Sequence, residues 1–347
     1  MKNELNHLYV FNLSTDSNNG LLAFTQDWIR AFNQVMERVS VASTWVGKND
    51  LPKDIEVTQI GGGNFINRLK GTFRALAIGI KIVKNRRHAI VFHHMSTRTV
   101  VILGPLFRLF GVKQGLWYSH SNRTLELVIA EKLVNRVFSS ISEALPLTST
   151  KSVFTGHGVV VDKFKIVEKS NRCKAILSLG RIAPIKNNED LIDAISKSKR
   201  EIKEVHLVGP LGSSIEYLNQ LVSYANSKGV KLSHLGEVSY AKIEEIYSSY
   251  AICYTGNPNT VDKSVIEGAL CGTFTLASQE FVLKQTGMTK VLKMAGCEFT
   301  NDLTLQIENL DSIKDRNDLR EALRNYAAEE NSVLSTTKKI VEEIKRS

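Results

Sequence analysis

The chain has 347 residues, a net charge of +10 and 43% apolar residues, the length and balance of two globular domains that can each bury a core. No apolar run reaches the ~18 residues of a membrane span, MKNELNHLYVF lacks the apolar stretch of a secretory leader, and the four cysteines (Cys173, Cys253, Cys271, Cys297) form no CxxC pair, which favours reduced core thiols in a cytosolic protein over disulfides or metal ligands. The charge is lopsided: residues 1–165 hold 21 Lys/Arg against 11 Asp/Glu, whereas residues 166–347 hold 24 of each, so the first half is the one suited to an anionic surface.

Residues 7–13 (HLYVFNL) read as a buried strand, followed by STDSNNG and a helical pattern through Leu22, Phe24, Trp28, Ile29 and Phe32. Asn18, Asn19 and Gly20 then occupy a strand-to-helix turn whose N–H groups face the crevice at the strand ends, although glycine at such a turn also has a plain steric explanation. No GxGxxG is present, so the dinucleotide fingerprint is absent. Arg38–Val46 gives a second strand, and Gly61, Gly62 and Gly63 a connector.

A helix is expected from about Ile66 to Lys84, with Ile66, Leu69, Phe73, Leu76, Ala77, Ile80 and Val83 as its apolar stripe and Arg68, Lys70, Arg74, Lys81 and Lys84 around it. Two readings stand: a helix packed on a sheet with a solvated basic face, or a basic amphipathic helix lying on anionic lipid. Nucleic acid is disfavoured, because no base-reading motif accompanies the charge. His88–Phe92 is a strand with His93 and His94 after it, one expected on the core side and the other toward the crevice. Thr99–Phe110 is helical, Gly115–Ser119 is a strand ending in His120, Leu125–Val134 is helical, and Arg136–Ser140 and Ser152–Thr155 are short strands. The polar run Asp162–Ser170 fits a linker.

The second half restarts the rhythm, with strands at Ala175–Leu179, Glu204–Val208, Lys231–Leu235 and Tyr250–Tyr254 and helices from about Glu189, Ser214 and Tyr240. A further strand–helix–strand unit spans Tyr254 to Ser278: the turn residues Gly256, Asn257, Pro258 and Asn259, a helix through Val265, Ile266, Ala269 and Leu270 begun at Asp262 or Ser264, and the strand Thr273–Ala277. A helix start beyond a strand's carboxyl end suits an anionic ligand, and Glu267 lies one turn in. Two helical runs, Arg316–Glu329 and Ser332–Lys345, close the chain. The expectation is two doubly wound α/β domains, residues 1–165 and 166–331, facing each other across a cleft that holds the ligand, with the helix at about 332–347 packed back on the first.

Gly180-Arg181-Ile182-Ala183-Pro184-Ile185-Lys186-Asn187 resembles the GR…K segment of the GT-B glycosyltransferases of family 4, and Asp262-Lys263-Ser264-Val265-Ile266-Glu267-Gly268-Ala269-Leu270-Cys271-Gly272 resembles the donor signature of that family. Trp117-Tyr118-Ser119-His120, Gly156-His157-Gly158-Val159-Val160 with Phe164, and Gly236-Glu237-Val238 sit where the family places them. The resemblance covers most of the chain and is most specific from Ala175 to Ser278. It implies the GT-B fold of two Rossmann-like domains. It also implies a nucleotide-sugar donor, with a UDP-sugar expected, in the second half, and a glycan or lipid-linked acceptor in the first. The reaction would be hexosyl transfer (EC 2.4) with retention of anomeric configuration and without a metal or other cofactor, in surface polysaccharide, lipopolysaccharide or glycolipid synthesis. The protein would be cytoplasmic and peripheral on the inner face of the membrane.

By the same resemblance Arg181 and Lys186 neutralise the leaving diphosphate, aided by the Ser264 and Val265 N–H groups. Glu267 accepts the ribose hydroxyls, His120 contacts the transferred sugar, and Gly20, Gly209, Val238, Asn259, Asp262 and Lys263 complete the donor site. Asn18, Asn19 and His94 lie on the acceptor side. One departure is Asn259, where the family often has a second Glu; an amide bonds a hydroxyl but supplies no charge, and Asp262 stands near enough to share the role. Two alternatives use the same fold: a nucleotide-sugar epimerase or hydrolase, and a non-catalytic donor-binding partner subunit, against which the intact Arg181, Lys186, Glu267 and His120 weigh.

Overall fold

The computed structural model describes every residue except 1–4, 20–21, 168–171, 213–214 and 240–241, and all side chains of the described residues except that of Phe65. The chain forms two compact units, Met1–Gly158 with Ser332–Ser347, and Val159–Asn331.

The first unit runs β1 (His7–Thr15), α1 (Thr25–Val35), β2 (Arg38–Val46), β3 (Glu56–Gln59), α2 (Phe65–Lys84), β4 (Ala89–His94), α3 (Thr97–Leu109), β5 (Lys113–Trp117), α4 (Leu125–Leu133), β6 (Arg136–Ser139) and β7 (Ser152–Phe154). Its seven strands are parallel in the order β3-β2-β1-β4-β5-β6-β7. Strand order runs outward both ways from β1 and β4, so right-handed crossovers put α1 on one face and α2, α3 and α4 on the other. Buried runs such as Leu8–Phe11 and Ala89–Phe92 are apolar on both sides, as a sheet covered on both faces requires.

The second unit runs β8 (Ile176–Leu179), α5 (Asn188–Lys197), β9 (Glu204–Val208), α6 (Ile215–Ser227), β10 (Lys231–His234), α7 (Ile243–Ser248), β11 (Ile252–Tyr254), α8 (Lys263–Leu270), β12 (Phe274–Leu276), α9 (Glu280–Thr286), α10 (Met288–Met294), α11 (Leu303–Ile313) and α12 (Asn317–Asn331). Its five strands are parallel in the order β10-β9-β8-β11-β12. The chain then returns to the first unit as α13 (Val333–Arg346), which packs on α1 and β5 and buries Ile340, Val341 and Ile344 among others. Both units are therefore Rossmann-like.

Several elements differ from expectation. Helix α1 begins at Thr25, because Asn19 Oδ1 accepts from the Leu22 N–H (2.9 Å) and holds residues 22–24 in a turn. Within the expected linker, Val161–Lys163 is a 3-10 turn and Phe164 is fully buried. The helix starts expected at Ser214 and Tyr240 fall outside the described residues. Strand β3 and helices α9, α10 and α11 were not anticipated.

Helix α2 departs most. Much of its expected core stripe faces outward: Ile66, Leu69, Phe73 and Ile80 are 60%, 50%, 62% and 51% exposed, whereas Leu76 and Val83 of the same stripe do pack on the core. The rest of the packed face is Gly71, Ala75, Gly79 and Ile82, with Ile78 half-buried. At about 100° per residue the two faces are roughly opposite. The small residues decide this. A Cβ on Gly71 would run into the Ile60 carbonyl, and one on Gly79 would lie 3.0 Å from Leu103, so backbone rather than bulky side chains meets α3 and the chain just after β3.

Candidate functional site

In the second unit the chain leaves β8 and β9 through glycines with positive φ, Gly180 (129°) and Gly209 (140°). Gly180 N–H donates to Val208 O (2.8 Å) and Gly209 N–H to Gly236 O (2.9 Å). A Cβ on Gly209 would collide with the Gly180 carbonyl, so the close crossing of these loops requires glycine. Ile182 N–H donates to Pro210 O (2.9 Å) and Gly212 N–H to Ile182 O (3.0 Å), which ties the loop carrying Arg181 to the next. The stem of Arg181 lies where a side chain on Gly212 would be, and the residue is exposed.

The loop then makes a 3-10 turn, Pro184–Lys186, and Asn187 adopts a left-handed conformation (φ 45°). Asn187 Nδ2 donates to Gly256 O (3.0 Å) and Tyr254 OH donates to Asn187 O (2.7 Å). These bonds fix the loop after β8 to the loop after β11. Lys186 Nζ therefore lies 2.7 Å from Asp262 Oδ2, with only 13% and 15% of the two side chains exposed. The Thr255 hydroxyl also donates to Oδ2, and Asn257 Nδ2 to Oδ1 (3.3 Å). Burial alone would raise the Asp262 carboxyl. The Lys186 charge and the hydrogen bonds from Lys186, Thr255 and Asn257 outweigh it and hold the group below the usual carboxylate range.

Strand order in this sheet reverses between β8 and β11, and open parallel sheets bind ligands in the crevice at such a reversal. Lys186 follows β8 and Asp262 follows β11. Asp262 begins α8 yet makes no side-chain cap there, because its oxygens are turned to Lys186, Thr255 and Asn257. Ser264 and Val265 occupy the first turn of that helix. Glu267 is 3% exposed on α8, with Lys263 Nζ 3.6 Å from its Oε1. Asn259 is exposed and its N–H donates to Asn257 Oδ1 (3.2 Å). Val238 is half-buried in the loop after β10. Thus Arg181, Lys186, Gly209, Val238, Asp262, Lys263 and Ser264 all follow carboxyl ends of one parallel sheet. Thr255 and Asn257, which orient Asp262, were not singled out as site residues, although they lie in the same run of turn formers.

In the first unit the reversal lies between β1 and β4. Asn18 and Asn19 follow β1; Asn18 N–H donates to Asp16 Oδ1 (3.0 Å), and Gly20 lies outside the described residues. His93 and His94 belong to β4 itself, and both are buried, on opposite faces. His93 stacks on Phe11 and bonds the Thr99 hydroxyl (2.8 Å). His94 sits among Phe24, Trp28 and Trp117, ring centroids 5.0 to 6.4 Å away, and its Nε2 has no hydrogen-bond partner among the described residues. One imidazole was expected on the core side and the other toward the crevice; both are buried, in a β4 that stays paired to β1 and β5 through His94. Burial lowers the pKa of His94 to about 4 and of His93 to about 3, so both are neutral at pH 7. His120 is exposed in the loop after β5, and its Nδ1 accepts the Asn122 N–H (3.1 Å). Its neutral form thus carries the proton on Nε2, as a donor.

A separate groove of about 930 Å³ opens at the amino ends of β8, β9 and β11, lined by Arg172, Cys173, Arg200, Asp311 and Lys314 among others, and contains none of the expected site residues.

No family model and no curated protein matches the chain. Solved structures do. HepE from Anabaena in complex with UDP superposes with a TM-score of 0.70 at 12% identity, over 98% of this chain and 100% of that one. This is the GT-B fold. A glycosyltransferase from Rickettsia africae follows at 0.68 and 16% identity, covering 98% of each chain. The lipopolysaccharide outer core galactosyltransferase WaaB follows at 0.65 and 11%, covering 98% of this chain and 99% of its own. At such identities the likeness is one of GT-B architecture.

Proposed function

We propose that the chain is a retaining, metal-independent glycosyltransferase that moves a hexosyl unit from a UDP-sugar to a glycan or lipid-linked acceptor in surface polysaccharide or glycolipid synthesis. It would work in the cytoplasm, peripherally at the inner face of the membrane. The observation that carries the reading is the Lys186–Asp262 pair at the strand-order reversal of the second sheet, beside the uncapped start of α8. The UDP and UDP-glucose complexes of HepE support a uridine donor.

In the reaction the bond from the anomeric carbon to the β-phosphate oxygen breaks, and its electron pair stays on the diphosphate. Arg181 and Lys186 are the groups assigned to that charge in place of a divalent ion. Arg181 offers a planar fork. Lys186 has three donors, so Asp262 occupies one and two remain for phosphate oxygens. Glu267 accepts from the ribose hydroxyls, and His120 offers its Nε2–H to a sugar hydroxyl. The amide groups at the start of α8 add fixed dipoles.

The test is a thermal-shift series with UDP, GDP, ADP and a panel of UDP-sugars, followed by assay for released nucleoside diphosphate with and without EDTA. Stabilisation by uridine nucleotides and EDTA-resistant turnover are expected. No shift with any nucleotide would remove the donor site, and turnover abolished by EDTA would remove the metal-independent mechanism.

A further inference from the structure

The outward row of α2 has no use in the chemistry above. Ile66, Leu69, Phe73 and Ile80 follow helical spacing, on a 20-residue helix about 30 Å long. Large apolar side chains in line on the solvent side of an otherwise well-packed helix mark a contact surface. The surrounding charge identifies its occupant. Between Glu56 and Glu126 the sequence contains no Asp or Glu, while Arg68, Lys70, Arg74, Lys81, Lys84, Arg86 and Arg87 crowd α2 and its end. Lys81 reaches Glu56 only at 3.8 Å, both side chains being mostly exposed, and Arg74 donates to the Gln59 carbonyl (2.9 Å) with no carboxylate partner among the described residues. Leu109 (77% exposed) and Phe110 (44%) end the neighbouring helix α3 on the same face of the sheet.

We infer that α2 docks the protein on an anionic lipid surface by inserting the Ile66–Leu69–Phe73–Ile80 row into the boundary between headgroups and acyl chains while its Lys and Arg side chains meet lipid phosphates. A second copy of the chain on this row would face cation with cation across a two-fold axis. A lipid surface matches both features at once, a flat-lying apolar face and a basic rim. The inference deepens the peripheral placement proposed above and rests on that reading for its setting only. The insertion itself depends on α2 alone.

The experiment is flotation of the full chain with vesicles of neutral lipid alone and of neutral lipid with about one third anionic lipid, at low and high salt. Wild type is expected to float with the anionic vesicles and to be released by salt. Phe73→Ser with Leu69→Ser, at positions already exposed, is expected to lose at least about tenfold in binding with its melting temperature unchanged. The indole introduced by Phe73→Trp is expected to be quenched by bromine-labelled acyl chains. Any of three results overturns the inference: wild type left in solution with anionic vesicles, the serine variant floating as well as wild type, or the introduced indole unquenched while the Phe73→Trp protein is bound. A wild-type dimer that the serine variant dissolves also overturns it, in favour of self-association. UDP-induced thermal shifts on the same samples keep the two readings apart: docking without a nucleotide shift sinks the catalytic proposal alone, and a shift without docking sinks this one alone.

Discussion

The Lys186 ammonium meets the Asp262 carboxylate at 2.7 Å where strand order in the second sheet reverses, joining residues 76 positions apart in sequence. Asp262 holds a flexible cation in one place, and Thr255 and Asn257 hold Asp262.

Replacing Lys186 by Ala should lower kcat by about 10²–10³, the loss typical of one donor to a developing oxyanion. It should also destabilise the second unit by no more than about 3 kcal/mol, since a mostly buried carboxylate loses its counter-charge but keeps two other hydrogen bonds. The double variant Lys186→Met with Asp262→Asn should recover that stability in urea melts and none of the turnover. Arg181→Ala, at an exposed side chain, should lose turnover with an unchanged melt.

Glu267 is assigned to the ribose. Glu267→Ala should weaken UDP binding about tenfold, near the worth of a charge-assisted hydrogen bond, and should lose the preference for UDP over its deoxyribose analogues. Calorimetric titration of both nucleotides into wild type and variant checks the assignment. Retained discrimination in the variant would place the sugar hydroxyls elsewhere.

Gly209→Ala should cost about 3 kcal/mol, because a Cβ there meets the Gly180 carbonyl and φ is 140°. The cost should appear in chemical denaturation of the second unit. Gly236→Ala, where φ is 82° but a Cβ has open space around it, should cost no more than about 1 kcal/mol.

Acid should weaken the first unit. Burial, with smaller effects from Arg38 and Lys81, lowers His7 to about 4, and burial holds His94 near 4 and His93 near 3. These values lie below the unfolded value of 6.5, so the unfolded chain binds more protons once pH falls under it. Their contribution is therefore complete above pH 6.5 and is lost as pH falls toward 4, at about 1.4 kcal/mol per pH unit for each histidine. His94→Phe, which keeps an aromatic ring among Phe24, Trp28 and Trp117, should reduce that slope by about a third over this range.

The alternation of strands and helices was legible because buried parallel strands are apolar runs. Strand β3 escaped because none of its four residues is fully buried, and α9 and α10 because Gly287 divides them into two helices of seven residues each. Helix α11 did carry a signal: Asp302 caps it and Leu303, Ile307 and Leu310 repeat at helical spacing. The face of α2 was hidden for a different reason. Hydropathy ranks Ile, Leu and Phe as core, but here Gly71 and Gly79 let the helix close on Ile60 and on Leu103 of α3, and only space tells which side is near. At the site, Arg181, Lys186, Asp262 and Glu267 stood out by their local motifs. The coupling of Lys186 to Asp262 did not, because it depends on which strands become neighbours.

The return of α13 to α1 makes the second unit an insert. Its ends are joined, with the Val159 N–H donating to the Asn331 carbonyl at 2.6 Å. Residues 159–331 are therefore expected to fold when excised and produced alone, whereas the host unit cannot finish folding on the ribosome until its last helix has been synthesised.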